Sequence, residues 1–175
     1  NTSKTLSPSK PDASTKRPSN RPKESHPVPW HPQGWYLTER PIFTLDPVFH
    51  AGAYYVQEAS SMFLYEALRQ TVDFTRKLRI LDLCAAPGGK STLLADLLSP
   101  DSLLIANEVI RSRVGSLREN LERWGSPNVG ITCAEAEVFG AMDGWFDVVV
   151  CDAPCSGEGL FRKDPDAVKE WSPAH

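Results

Sequence analysis

The chain has 175 residues, 41% hydrophobic and 23% charged, with a formal net charge of −3, a composition ordinary for one globular domain with a real core. No apolar stretch approaches the roughly 18 residues that a spanning helix needs, and the N-terminus lacks the apolar heart of a secretory signal. No membrane-spanning segment is expected in this sequence, and the cytoplasm is the expected compartment.

Up to residue 25, six basic residues (Lys4, Lys10, Lys16, Arg17, Arg21, Lys23) face only Asp12 and Glu24, in a setting rich in Ser, Pro, Thr and Asn. Such a segment cannot bury apolar surface, so residues 1–26 are expected to form a flexible basic arm. It serves either as a plain linker or as an attractor for phosphates. Order is expected to begin near Val28-Pro29-Trp30, where aromatic residues take over: Trp35, Tyr36, Phe43, Phe49, Tyr54 and Tyr55. Prolines 27, 29, 32, 41 and 47 forbid a long helix. Residues 27–56 should therefore be a loop-rich segment packed on the body, with turns at Gly34 and Gly52. Its rings serve either as packing or as a platform for stacked bases.

Helical spacing sets in from Gln57 to Arg69, with Ala59, Phe63 and Ala67 beside Leu64 and Leu68. Arg79 to Leu83 reads as a strand buried on both faces. The turn Cys84-Ala85-Ala86-Pro87-Gly88-Gly89-Lys90 follows, and its small residues allow a ligand close to backbone amides that open a helix. That helix carries Leu93, Leu94, Leu97 and Leu98 and stops before Pro100. Ser102 to Asn107 is a second strand. Arg111 to Trp124 is a helix with Val114, Leu117, Leu121 and Trp124 on one face, a Glu119–Arg123 pair and Gly125 as stop. Asn128 to Cys133 and Phe146 to Cys151 complete four strands. Strands alternating with helices imply an α/β fold with a parallel sheet and right-handed crossovers. No internal repeat is visible.

Ligands of such sheets bind at the carboxyl ends of the strands. The polar residues gather there: Asp82 to Lys90 after the first strand, Glu108 after the second, Glu135 after the third and Asp152 after the fourth. Glu108, 19 positions past Gly89, is placed to accept ribose hydroxyls. Glu135 is placed to accept from an adenine amino group. Gly89-Lys90-Ser91 matches the end of a phosphate-binding P-loop, but Cys84 stands where its first glycine belongs. The dinucleotide pattern Gly-x-Gly-x-x-Gly is missing too. A nucleoside without a pyrophosphate remains, and S-adenosylmethionine suits the features present.

Cys84, Cys133, Cys151 and Cys155 show no Cys-x-x-Cys spacing and are expected to be reduced thiols without zinc. The histidines His26, His31, His50 and His175 are scattered and read as solvated or turn residues. Asp152-Ala153-Pro154-Cys155-Ser156-Gly157-Glu158-Gly159 puts an acid and a thiol together at a strand end. Asp152 is placed to orient the methionine amine or a base amino group. Cys155, in a glycine-rich loop, is either an exposed reactive thiol or a small buried hydrophobe.

Leu81 to Ser91, Asn107-Glu108, Asp152 to Gly159 and Phe161-Arg162-Lys163-Asp164-Pro165 resemble the RNA cytosine-C5 methyltransferases of the Nop/Sun family, closest to its bacterial RsmF-like ribosomal RNA branch. Val28-Pro29-Trp30 and Ala51 to Met62 are also similar to that branch. The resemblance implies a Rossmann-like class I methyltransferase fold with helices on both faces, residues 57–175 being the N-terminal part of the domain and the sheet incomplete after its fourth strand. It implies that Cys84, Ala85, Ala86, Pro87, Gly88, Gly89 and Lys90 hold the methionine part of S-adenosylmethionine. Glu108 then takes the ribose and Glu135 the adenine edge, where the family usually has aspartate. Asp152 takes the cofactor amine or the target base, with Lys90 near the same cytosine.

In that family a thiolate adds to carbon 6 of cytosine, so that carbon 5 can attack the sulfonium methyl group, and a base then removes the carbon-5 proton. The ring must be unstacked to be reached. By the family's pattern the cysteine of Pro154-Cys155 assists release, while the nucleophile lies in a later motif that this chain does not contain. The expectation is therefore a piece of a longer enzyme acting on RNA, ribosomal RNA above all, that binds cofactor weakly and does not turn over alone. The alternative is a non-catalytic RNA-binding or cofactor-binding domain.

Overall fold

The computed structural model describes residues 4–7, 25–154, 161, 166–170 and 172. Two sheets organise them. The parallel sheet consists of β5 (Arg79–Asp82), β6 (Leu103–Asn107), β7 (Val129–Thr132) and β8 (Val148–Val150), in the order β7-β6-β5-β8. Asp82 stands opposite Ala106 on one side and Val150 on the other, so the three strands reach their carboxyl ends together.

Helix α3 (Gly89–Leu97) crosses from β5 to β6, and α4 (Arg111–Trp124) from β6 to β7. Both steps move the same way across the sheet, so right-handed crossovers put both helices on one face. The Trp124 indole N–H donates to Asp96 Oδ1 at 3.2 Å and ties the pair together. The connection from β7 to β8, carrying α5 (Ala136–Gly140), returns the opposite way and so runs over the other face. Ile80, Leu94 and Leu104 are fully buried in the main core, where Leu68, Leu98 and Trp124 join them. Burial of each large apolar side chain stabilises the fold by about 1.5–3 kcal/mol. At the start of β8, Arg79 N–H donates to Asp147 Oδ2 at 2.7 Å, and the Arg79 guanidinium lies over the Trp145 ring at 4.9 Å.

The second sheet is antiparallel, ordered β2-β3-β1-β4 from β1 (Lys4–Ser7), β2 (Ser25–Pro27), β3 (Trp35–Leu37) and β4 (Tyr55–Glu58). This departs from the expected mobile arm: Lys4–Ser7 is a strand paired with both β3 and β4, and order begins before Val28. Backbone pairing gives these residues a place that their composition does not ask for. Residues 27–56 are correspondingly less loop-like than expected. The prolines still forbid a long helix, and α1 (Pro47–His50) is one turn with proline as its first residue and Asp46 as N-cap. Helix α2 (Ala59–Thr71) starts two residues later than its spacing suggests, because Gln57 and Glu58 pair with Thr5 and Lys4.

The aromatic residues are used for packing. Trp30 donates its indole N–H to Ala59 O at 2.8 Å, and Phe43, Phe49 and Tyr54 contact one another. His31 is a buried turn residue rather than a solvated one, with its Nδ1 accepting from Gln33 N–H and its pKa lowered by burial. Helix α6 (Ala167–Glu170) is a single turn. Among the described residues no helix is long and apolar enough to cross a membrane.

Candidate active site

The carboxyl ends of the parallel strands carry one acid each, in the spatial order Glu135, Glu108, Asp82, Asp152. The turn after β5 sits among them. Cys84 to Gly88 leave the strand, Ala85 N–H donates to Asn107 O at 2.7 Å, and Gly88 N–H donates to Ala85 O at 2.7 Å. The Ala86–Pro87 bond is cis. Gly88 has φ +113°, a left-handed conformation that glycine alone adopts readily, and it serves as N-cap of α3. Gly89 packs so near β4 that a Cβ there would lie 3.0 Å from Gln57 Oε1 and 3.1 Å from Tyr55. The antiparallel sheet thus forms a wall over the turn.

Between that wall and the turn lies a cleft of about 220 Å3, bounded by Gln57 and Ser61 on one side and by Cys84, Lys90 and Asp152 on the other. Lys90 Nζ donates to Asp152 Oδ2 across its mouth. Asp152 is 60% exposed and Lys90 27%, so the pair adds little stability and leaves the carboxylate open to a ligand.

Glu108 is buried at 1% exposure. Its Oε2 accepts from Ala86 N–H at 3.3 Å and faces Arg113 at 3.3 Å, while Oε1 accepts from Ile110 N–H at 2.9 Å. Each carboxylate oxygen has two lone pairs, so Oε1 retains room for one more donor. Glu135 is exposed at the head of α5, further along the same edge. Neither Glu108 nor Glu135 lines the Lys90–Asp152 cleft.

Asp82 is wholly buried, with Oδ2 accepting from Ser91 Oγ at 2.6 Å and no partner for Oδ1 among the described residues. Burial pushes its pKa up to about 6, against the Ser91 bond and the Lys90 charge, which lower it. The bond joins β5 to α3 across the turn. Cys84 and Cys151 lie side by side at the ends of β5 and β8, and burial, then the second sulfur, raises the Cys84 thiol above its usual range. A raised pKa leaves less of this thiol as the nucleophilic thiolate. Cys84, Cys133 and Cys151 are free thiols. Among the described residues no group of three or more His, Cys, Asp or Glu side chains could hold a metal ion. Cys155 lies outside the described residues.

Sequence reasoning missed several residues here. Asn107 bridges three strand ends: its Nδ2 donates to Leu83 O and Ala134 O, and its Oδ1 accepts from Thr132 Oγ1 and Ala134 N–H. Arg113 and Asn120 reach the turn from α4 at 27 and 33 positions' remove, a distance that no local pattern reveals.

A parallel sheet with a glycine turn after one strand and acids at the neighbouring strand ends is the architecture of the class I methyltransferases, and solved structures agree. The methyltransferase homologue from Pyrococcus horikoshii superposes with a TM-score of 0.67 at 36% identity, covering 84% of this chain and 47% of that one. NSun6 from Pyrococcus horikoshii with SFG superposes at 0.58 and 30% identity, covering 67% and 29%. The family model "16S rRNA methyltransferase RsmB/F" matches residues 70–174, and "N-terminal domain of 16S rRNA methyltransferase RsmF" matches residues 2–59. The chain belongs to the RsmB/F family of 16S rRNA methyltransferases.

Its relatives include ribosomal RNA small subunit methyltransferase F of Cronobacter sakazakii, 44% identical over 153 residues, or 84% of this chain, and that of Shewanella loihica, 42% identical over 149 residues, or 83%. The chain spans 31% of the length of each of these relatives. The match to residues 2–59 takes in β1 and the other strands of the antiparallel sheet.

Proposed function

We propose that this chain forms the S-adenosylmethionine-binding part of an enzyme that methylates carbon 5 of a cytosine in 16S ribosomal RNA. The observation that carries the reading is the convergence of the Cys84–Lys90 turn, Glu108 and the Lys90–Asp152 pair on one edge of the parallel sheet. The donor set suits the cofactor: amides and small residues for the methionine end, a buried acid with one free lone pair for a ribose hydroxyl, and Glu135 for an adenine amino group. When bound, S-adenosylmethionine supplies an electrophilic sulfonium methyl group.

The chain's own residues then hold and orient. Lys90 donates to Asp152 Oδ2 and so orients the carboxylate, whose exposed side accepts from the amino group of the cofactor or of the cytosine. Gln57 and Ser61 close the cleft from the side of the antiparallel sheet. Carbon 5 becomes nucleophilic only after a thiolate has added to carbon 6, and the raised pKa of Cys84 argues against that thiol. By its place in the family pattern Cys155 assists release, and the attacking cysteine belongs to the longer protein. The RNA must present the base unstacked.

The test is to incubate the full-length natural protein with unmodified 16S rRNA and methyl-labelled S-adenosylmethionine, then digest the RNA to nucleosides. Label in 5-methylcytidine supports the reading. Label in any other nucleoside, or none, refutes it.

A further inference from the structure

The side of the turn away from the cleft is held by α4. Arg113 donates to Ala86 O at 2.6 Å and Asn120 Nδ2 donates to Pro87 O at 2.7 Å, so one helix takes up two successive carbonyls of the turn. Asn120 Oδ1 in turn accepts from the Arg123 guanidinium. A guanidinium only donates, so Arg123 fixes which end of the Asn120 amide faces Pro87 and leaves the NH2 there.

Arg123 is itself clamped. Its side chain is 13% exposed, with Glu119 at 3.6 Å and the guanidinium carbon 4.1 Å above the Phe49 ring. Phe49 is wedged against Phe43 and Tyr54, with ring centroids 6.3 and 5.6 Å away. The loop after α1 presses on the same point, since a Cβ on Gly52 would lie 1.9 Å from Arg123 O. A continuous set of contacts therefore runs Phe49, Arg123, Asn120, Pro87.

We propose that Asn120 is a positioning residue for the cofactor turn, oriented by Arg123, and that the 43–54 segment sets cofactor affinity through this contact without touching the cofactor. The inference rests on the reading that the turn binds S-adenosylmethionine. Holding the Ala86 and Pro87 carbonyls against α4 fixes the backbone of the turn where it lines the cleft, in the conformation that the bonds of the Ala85 and Gly88 amides require.

Asn120→Asp separates this role from simple helix packing. Aspartate keeps, and as an anion strengthens, the contact with Arg123, but it sets an acceptor against the Pro87 carbonyl. The assay is calorimetric titration of the 175-residue chain with S-adenosylmethionine. Thermal melting and amide hydrogen exchange at Ala85 and Gly88 accompany it. Positioning predicts about tenfold weaker binding and faster exchange at those amides with an unchanged melting temperature, and a smaller shift of the same sign for Phe49→Leu.

Wild-type affinity and exchange in Asn120→Asp would overturn the inference. If the wild-type chain does not bind the cofactor while Asn120→Asp still speeds exchange in the turn, the cofactor reading falls and the positioning of the turn stands. If neither effect is seen, both fall.

Discussion

Asp82 offers a prediction in which sign and size both follow from the structure. Its carboxylate is completely buried, one oxygen bonded to Ser91 and the other without a partner among the described residues, and burial raises its pKa from 3.8 to about 6. In the unfolded chain it titrates near 3.9. Below about pH 4 both states carry the proton and Asp82 costs the fold nothing. Between about pH 4 and 6 the native state keeps a proton that the unfolded state has lost, so stability falls by about 1.4 kcal/mol per pH unit. Above about pH 6 the full cost, about 3 kcal/mol, is present.

The variant Asp82→Asn keeps an acceptor for Ser91 and removes the titration. Urea midpoints followed by tryptophan fluorescence from pH 4 to 8 should converge for the two proteins at the acid end. Toward neutral pH the variant should become the more stable, by up to about 3 kcal/mol less the cost of burying one amide donor. Parallel curves across pH 4–6 would refute the reasoning.

The turn and its support give two more tests. Gly88→Ala places a side chain at φ +113°, 3.4 Å from Leu117 and Asn120, and should lower stability by about 1–2 kcal/mol and weaken cofactor binding. Wild-type behaviour in both would argue against a turn held in this conformation. Leu117→Ala removes a fully buried side chain that packs beneath Ala85, Ala86 and Ala106. It should cost about 2–5 kcal/mol in urea unfolding, and a loss below about 1 kcal/mol would mean that α4 does not support the turn from below.

The parallel sheet was legible because each of its parts carries its own signal. Arg79–Asp82 is a short apolar run before a glycine turn, and Val114, Leu117, Leu121 and Trp124 recur at helical spacing before Gly125. The Glu119–Arg123 pair forms as its spacing suggests, at 3.6 Å. β1 was not legible, because Lys-Thr-Leu-Ser has no alternation of its own and gains its place from pairing with residues about 30 and 50 positions away.

The acids of the site could be placed by counting from strand ends, but their surroundings could not. Nothing local distinguishes the buried, amply bonded Glu108 from the exposed Glu135, and the contacts of Asn107, Arg113 and Asn120 cross between elements. That Gln57 faces the turn is a consequence of how the two sheets meet.

In the proposed function, the edge formed by the turn, Glu108 and Asp152 binds S-adenosylmethionine. The most direct test is calorimetric titration of the chain with S-adenosylmethionine, for the wild type and for Glu108→Ala and Asp152→Ala. The wild type should bind saturably, and both variants should bind more weakly. Equal affinity in all three proteins, or no binding by the wild type, would contradict the proposed function.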